Sequence, residues 1–404
     1  MKIQLTQQII VNNRRKEFLP LDELCFLSKN LYNVALYHIR QQYKKDKTYL
    51  NYNKLNHILS TSNNVDYRAL PYAQSAQQVL RQVDKQYISF YKALKSTKMK
   101  GKRVRLPNYK DKEKGRNIFV YTNQCFKLKD NTLYLKTKQG TLLFQTDKQN
   151  IQQVRIVPKG NHIVVEIIYN TEYTTKDDNK RYGSIDLGLN NICTLTSNVC
   201  QSIIYNGRPL KSINRFYEKR KADLQSKLKG NKHTSKRISR LAYKRNRKNK
   251  DYLHKLSCTI IKYMEANSLN TLFVGKNAGW KDSIDMGKVN NQNFVSIPYN
   301  MLISMLEYKC KLHGIRFVIV NEAYTSKCSF LDNEKICKHD IYKGNRKERG
   351  LFITNKGIKI NADVNASYNI MRLGLDKINV KLDVLEIRPE NKRFMLNPVS
   401  ISII

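Results

Sequence analysis

Apolar positions change their period several times along this chain of 404 residues, and each change marks an element. Residues 2–11 (KIQLTQQIIV) alternate in part and predict a strand. Residues 20–96 predict helices. Within them Ala76, Val79, Leu80, Val83, Tyr87, Phe90 and Leu94 step by threes and fours, which places them on one helical face. Between 117 and 170 short apolar runs follow closely on one another, with turn residues at Asp130-Asn131 and Gln139-Gly140. This spacing predicts a small barrel or sandwich. The N-terminal strand can pair into it, with the helical region inserted between. From about 181 the order becomes strand, turn, strand, and the run at 200–205 continues it. A long helical stretch over 211–266 follows, broken near Gly230. Then come a strand at 270–274, a helix near 296–313, a strand at 315–320 and a last helix from about Asp363 to Leu373. That alternation predicts an α/β sheet with helices on it, in a chain that also has all-β and all-α parts.

Charge changes the picture more than composition does. Hydrophobic residues make up 41% of the chain, enough for real cores. Against that, 74 Lys and Arg face 32 Asp and Glu, a formal net charge of +42. A compact chain so charged repels itself and attracts polyanions. Basic proteins of ribosomes and membrane surfaces share such a balance. No apolar run approaches 18 residues, so no membrane span is expected, and the N-terminus lacks the apolar core of a signal peptide. Nucleic acid is the expected partner. The eight cysteines are spread thinly with no C-x-x-C, which fits a reducing, cytoplasmic setting better than a disulfide framework. The cations cluster. Residues 91–116 carry 11 Lys and Arg and two acids, and Gly101 and Pro107 interrupt any helix there. Lys102, Arg103, Arg105 and Lys110 are the candidate phosphate contacts of that basic linker. Residues 211–255 carry 17 Lys and Arg against three acids. Like charges on one helix repel, and a phosphate backbone would offset the repulsion. Lys236, Arg237, Arg240, Lys244, Arg245 and Arg247 are the candidates on that helix. The tyrosines among the cations at 32–52 either pack between helices or stack on bases.

Hydrolysis of a phosphodiester needs charge stabilisation on both the attacking and the leaving oxygen, which two divalent ions can supply. Mg²⁺ prefers hard oxygen ligands. Acids at strand ends and helix starts are therefore the candidates. Asp186 ends an apolar strand in GSIDLGLN. An Asp beside Gly is also an ordinary turn residue. Asp363 stands in INADVNASYNI, where an Asp equally reads as a helix cap. The pair is more specific than either alone, and its phrasing resembles the first and last catalytic motifs of a RuvC-like nuclease.

The phrases IDLGLNN, SKRISRLAYKRNRKNKDYLHKLS, LFVGKNAGWK, NFVSIPYNML, YTSKCSFLD, DVNASYNIMR and RLPNYK cover nearly the whole chain. Together they resemble the TnpB group, the OrfB-type transposon proteins that are compact relatives of type V CRISPR effectors. The resemblance implies an RNase H-like (RuvC) C-terminal domain over 179–322 and 360–376. It implies a wedge-like β-barrel over 1–18 and 98–178, with a helical recognition insertion at 19–97. It also implies an RNA-guided DNA endonuclease using Mg²⁺ or Mn²⁺, with guide RNA from the transposon end and target DNA as partners. The segment 323–359 corresponds to a zinc finger and target-nucleic-acid loop, and 377–404 is a tail without an assigned role.

Two departures matter. The family places a Glu at the end of the strand that reads TLFV, where this chain has Gly275. The next strand ends at Asn321-Glu322, and neighbouring strands lie about 4.8 Å apart. Glu322 is therefore expected to complete a metal site with Asp186 and Asp363, the alternative being an ordinary strand end facing water. The family also carries two cysteine pairs for zinc. Here only Cys328, Cys337 and His339 are available, short of the four ligands that structural zinc needs, and zinc is expected to be absent. Residues 335–359 instead carry eight Lys and Arg against two acids, as a nucleic-acid contact or a lid. Trp280 either stacks on a nucleotide or packs a loop. Two other functions stay open: a guided DNA-binding repressor or regulator of transposition that no longer cuts, which Gly275 favours, and a transposase that joins DNA ends, for which no separate acidic triad is visible.

Overall fold

A computed structural model describes residues 1–96, 104–230, 232–277, 296–348, 350–387 and 389–403. They form two units, 1–172 and 173–404.

The first unit opens with strand β1 (Lys2–Asn12), then helices α1 (Phe18–Asp46), α2 (Tyr52–Thr61), α3 (Val65–Arg68) and α4 (Ala73–Lys95). Six strands follow: β2 (Phe119–Thr122), β3 (Lys127–Lys129), β4 (Thr132–Thr137), β5 (Gly140–Gln145), β6 (Ile151–Pro158) and β7 (His162–Glu172). The strands make two antiparallel sheets, β1-β7-β6-β2 and β3-β4-β5, not one hydrogen-bonded barrel. β1 pairs with β7 along its whole length, from Lys2 opposite Glu172 to Asn12 opposite His162. Asp130 and Asn131 turn β3 into β4 with positive φ at both, the backbone a two-residue hairpin needs. Helices and sheets share a single hydrophobic core. α4 buries Ala76, Val79, Leu80, Val83 and Tyr87, as its periodicity predicts. The expected face runs on to Phe90 and Leu94, but Leu94 is exposed and Phe90 only half-buried. Both border a cavity of about 550 Å³ with Ile39, Tyr43 and Leu106.

The described part of the basic linker is strapped to α1. Asn33 and Lys110 exchange two side-chain to backbone bonds, Arg40 reaches the Pro107 carbonyl, and Arg116 pairs with Asp22 at 2.7 Å.

The second unit holds one six-stranded sheet. Its strands are β8 (Tyr182–Asp186), β9 (Asn191–Ser197), β10 (Ile203–Asn206), β11 (Thr271–Gly275), β12 (Arg316–Val320) and β16 (Val399–Ile401), in the order β12-β11-β8-β9-β10-β16. β8, β9 and β10 form an antiparallel meander. β11 joins β8 in parallel, and β12 joins β11 in parallel. The crossovers run through helices α5 (Arg208–Ser226), α6 (Lys236–Ala266) and α7 (Tyr299–Leu312). A small antiparallel sheet, β13 (Asn345–Glu348), β14 (Leu351–Ile353) and β15 (Lys359–Asn361), leads into α8 (Ala362–Lys377). Two short helices, α9 (Val384–Ile387) and α10 (Lys392–Leu396), precede β16.

Alternate residues of the strands face opposite ways, and each face has its own core. Ile185, Leu195, Leu272 and Val274 pack with residues of α6 and α7. Tyr182, Phe273 and Val320 pack with residues of α8. α8 comes so close that a β-carbon on Gly374 would overlap the Phe273 ring. The tail supplies β16, which lies parallel to β10, from Ile203 opposite Val399 to Tyr205 opposite Ile401.

Candidate metal centre and nucleic-acid face

β8 ends in Asp186, and α8 begins one residue before Asp363. The helix cap is Asn361, whose side chain accepts from the backbone N–H groups of Asp363 and Val364. Asp363 is thus free of capping duty. A buried hydroxyl cluster pins α8 to the sheet. The Ser184 hydroxyl donates to the Ser367 carbonyl at 2.7 Å, the Ser367 hydroxyl reaches back to the Ser184 carbonyl at 3.0 Å, and Tyr368 donates to the Ser197 carbonyl. These bonds lie two residues before Asp186 and one turn after Asp363, so they fix the two carboxylates relative to each other.

Burial pushes the Asp186 carboxyl well above its usual range, and the negative charges of Asp363 and then Glu322 push it further. Arg346 on β13 opposes that shift. Its guanidinium lies 3.8 Å from Asp363 Oδ1, while the Asn191 amide donates to Asp363 Oδ2 at 2.7 Å. Sequence reasoning missed both residues. Nothing sets Arg346 apart from the other cations of its loop, and Asn191 is one of two adjacent asparagines.

Gly275 ends β11 opposite Val320 of β12. A β-carbon at 275 would lie 2.5 Å from Glu322 Oε2, 3.3 Å from Glu322 Cβ and 2.6 Å from Ile370 Cδ1. The Glu322 side chain therefore fills the space that a side chain at 275 would take. Asn277 accepts from the Glu322 backbone N–H at 3.1 Å and helps set its direction. Burial raises the Glu322 carboxyl to about 7, and its Oε2 is buried without a hydrogen-bond partner. A buried acceptor left unsatisfied costs about 1–3 kcal/mol, which a bound donor or cation would recover. Asp186 feels the charge of both other acids, but the three are not drawn onto one point. Among the described residues no three such side chains are spaced to hold an ion by themselves. All three offer the hard oxygens that Mg²⁺ takes, and Mg²⁺ commonly completes its shell with water and substrate phosphate. The donor chemistry suits such an ion, while the spacing of the three side chains alone does not enclose one.

In the segment expected to be a degenerate finger, the Cys328 thiol donates to the carbonyls of Lys335 and Cys337, and Cys337 Sγ lies 3.4 Å from His339 Nε2. Two acids staple this loop. The buried Glu334 accepts from the backbone of Ser329 and Lys343, and Asp332 from Ser329 Oγ and the backbone of Asn355.

α5 and α6 pair along a seam that carries most of the basic stretch. Leu210, Asn214, Tyr217 and Leu224 of α5 are buried, as are Ile238, Asn249 and Tyr252 of α6. Lys236, Arg237, Arg240, Lys244 and Arg247 point to solvent. Arg245 does not. Its guanidinium covers the Tyr217 ring at 4.6 Å, on the seam. Beside it the Asn249 amide donates to Asn214 Oδ1 at 2.9 Å. In the first unit Arg105 is exposed and borders a cavity of about 650 Å³ with Arg81, Lys85 and Arg155. Lys110 is half-buried over the Tyr32 ring at 4.9 Å, so its ammonium serves α1 rather than open solvent. Lys102, Arg103 and Trp280 lie outside the described residues. Among the described residues, no helix is long and apolar enough to cross a membrane.

Fold and site thus define a mixed α/β protein with an acidic centre at the ends of β8 and β12 and the start of α8, and with a basic helical hairpin following the same sheet. Residues 162–281 match the OrfB_IS605 family, described as "Probable transposase", and residues 299–370 match the Cas12f1-like TNB domain. A TnpB-like protein of Acidianus two-tailed virus is 25% identical over 209 residues, 49% of this chain and 42% of that one. A protein of Streptomyces pristinaespiralis named "Putative RNA-guided DNA endonuclease" is 23% identical over 320 residues, 74% of this chain and 71% of its own. The chain thus spans less than half the length of the viral relative. The fold resembles that of the mini-RNA-guided endonuclease CRISPR-Cas_phi3, with a TM-score of 0.54 over 93% of this chain and 92% of that one, at 9% identity. By these matches the chain is similar to TnpB-type proteins, over residues 162–281 and 299–370 in particular.

Proposed function

We propose that this chain is a transposon-associated, RNA-guided DNA endonuclease that hydrolyses phosphodiester bonds at an RNase H-like (RuvC) centre made of Asp186, Glu322 and Asp363. The observation that carries the reading is Glu322 lying over Gly275 with an unsatisfied buried oxygen. A carboxylate one strand over occupies the space that the missing side chain left. The sheet order supports the fold assignment: a three-stranded antiparallel meander extended on the β8 side by two parallel strands. Residues 1–172 would supply the wedge and recognition parts. Guide–target pairing would choose the sequence, and the protein would grip the backbone and read a short flanking duplex.

Asp186, Glu322 and Asp363 would hold Mg²⁺ or Mn²⁺, which when bound supplies charge stabilisation to the attacking and leaving oxygens. Asn191 holds one oxygen of Asp363, and the other lies 3.8 Å from the Arg346 guanidinium. Arg346 offsets the acidic charge of the centre and would offer a guanidinium to a substrate phosphate there.

The test is cleavage of DNA by protein purified with co-expressed flanking RNA, in Mg²⁺. Glu322→Gln is expected to lose at least a hundredfold in rate, as is Asp186→Ala. Moving the acid back, with Gly275→Glu and Glu322→Gly together, is expected to recover part of the loss. Undiminished cutting by Glu322→Gln would overturn the assignment of Glu322. Tight guided binding by the wild-type chain, with no cutting under any divalent ion, would instead support a repressor or regulator of transposition.

A further inference from the structure

Tyr324 is the only aromatic residue with positive φ among the described residues, at 66°. The others in that region are mostly Asn and Asp, which tolerate it, or residues in ordinary turns and helix ends. A bulky side chain there costs about 1–2 kcal/mol and persists only where its surroundings over-determine it. Here they do. Thr325, the next residue, is buried, and Glu322, two residues earlier, is partly buried. Thr325 bonds the Glu322 carbonyl through its hydroxyl at 2.8 Å, and the backbone N–H of Cys328 bonds the Tyr324 carbonyl at 3.1 Å. Asn369 of α8 donates to the carbonyls of Thr325 and Cys328. The turn is thus bolted to the helix that carries Asp363. Between the bolts the tyrosine is 40% exposed, and its ring makes no aromatic or cation–π contact among the described residues.

We infer that Tyr324 is a base-stacking residue, holding an unpaired DNA nucleotide next to the phosphate that is cut. The inference rests on the nuclease reading above. Glu322 lies only two residues earlier on the same fixed turn, so the backbone that carries the ring is held close to the acidic centre. Fixing the ring in advance removes the ordering cost that a mobile side chain would pay on binding. A planar ring suits any base, and stacking of this kind is insensitive to sequence. The occupant is unpaired DNA rather than duplex, because a base inside a duplex already stacks on its neighbours.

The test compares wild type with Tyr324→Phe and Tyr324→Asn in the guide-loaded protein. Oligodeoxynucleotides carrying 2-aminopurine at successive positions are titrated in EDTA, where no cutting occurs. Wild type and Tyr324→Phe are expected to quench the fluorophore at one or two adjacent positions, and Tyr324→Asn to leave it bright. In Mg²⁺, Tyr324→Asn is expected to cut about 5- to 100-fold more slowly. The same variant relieves the backbone strain, so its Tm is expected to rise by about 2–4 °C. A merely structural tyrosine would give the opposite sign, a lower Tm in Tyr324→Asn with unchanged quenching, and that result overturns the inference. So does equal quenching and cutting in all three proteins. Quenching with RNA oligonucleotides but not DNA also overturns it. Absence of cutting by the wild type counts against the nuclease reading alone, since the fluorescence measurement does not depend on it.

Discussion

Glu322 keeps a carboxyl in a place that favours its neutral form. Its pKa lies near 7 instead of the ordinary 4.5, because burial disfavours the charge. A group whose folded value is raised binds its proton more tightly folded than unfolded. Its contribution to stability is therefore full below about pH 4.5 and is lost as pH rises through 7. Metal-free Glu322→Gln is expected to be more stable than wild type at pH 8.5, by on the order of 3 kcal/mol, with the gap closing near pH 4.5. Denaturant melts at the two pH values check this. Saturating Mn²⁺ is expected to stabilise the wild type at pH 8.5 and the variant less, since a ligand that binds only the folded state adds its binding energy. A gap of the same size at both pH values would mean that Glu322 is not buried as described.

At the scale of elements, the α5–α6 pair is held by polar groups where apolar ones would be stronger. Asn214 and Asn249 are buried and share one hydrogen bond, leaving Asn214 Nδ2, Asn249 Oδ1 and Arg245 Nε without partners. Polar residues in a helical seam fix register at a cost in stability. Asn249→Leu alone is expected to destabilise by about 1–3 kcal/mol, because it strands the Asn214 amide. Asn214→Leu with Asn249→Leu is expected to raise Tm above wild type. Both follow from thermal melts, and a stabilising single variant would contradict the seam. The same elements show how far sequence reaches. The face of α4 was legible to Tyr87 because Ala76 through Tyr87 meet a continuous core, and it failed at Leu94 because the core ends first. Asp186 and Asp363 were legible because each lies in an intact local phrase. Glu322 was reachable only by assuming that β11 and β12 are parallel neighbours, which they are. β16 was not legible: three residues pair with a strand almost 200 positions earlier, and nothing local announces it. Arg346 and Asn191 depend on folding together from distant segments, so their roles exist only in three dimensions.

Over the whole molecule the excess of 42 positive charges would make the proposed binding of nucleic acid steeply dependent on salt. The contribution of individual cations differs with their placement. Lys236, Arg237, Arg240, Lys244 and Arg247 are exposed on α6. Replacing any of them with Gln is expected to reduce the slope of log affinity against log salt by up to about 1. Arg245→Gln is expected to leave the slope unchanged and lower Tm, because that guanidinium is occupied by Tyr217. Filter binding from 50 to 200 mM salt separates the two behaviours. A slope change from Arg245 equal to that from Arg240 would place both on the same face.

The exchange between positions 275 and 322 has a consequence for how such chains diverge. A side chain at 275 and the glutamate at 322 need the same few cubic ångströms. Acids at both positions would collide, and acids at neither would leave the centre short of a charge. The two substitutions are therefore epistatic, each harmful on the background that suits the other. If Glu322 serves the proposed centre, a chain passing from one arrangement to the other would cross a poorly active intermediate or make both changes together. Column-by-column comparison would score one of them as inactive, although the carboxylate it lacks at one position reaches the same space from the next strand.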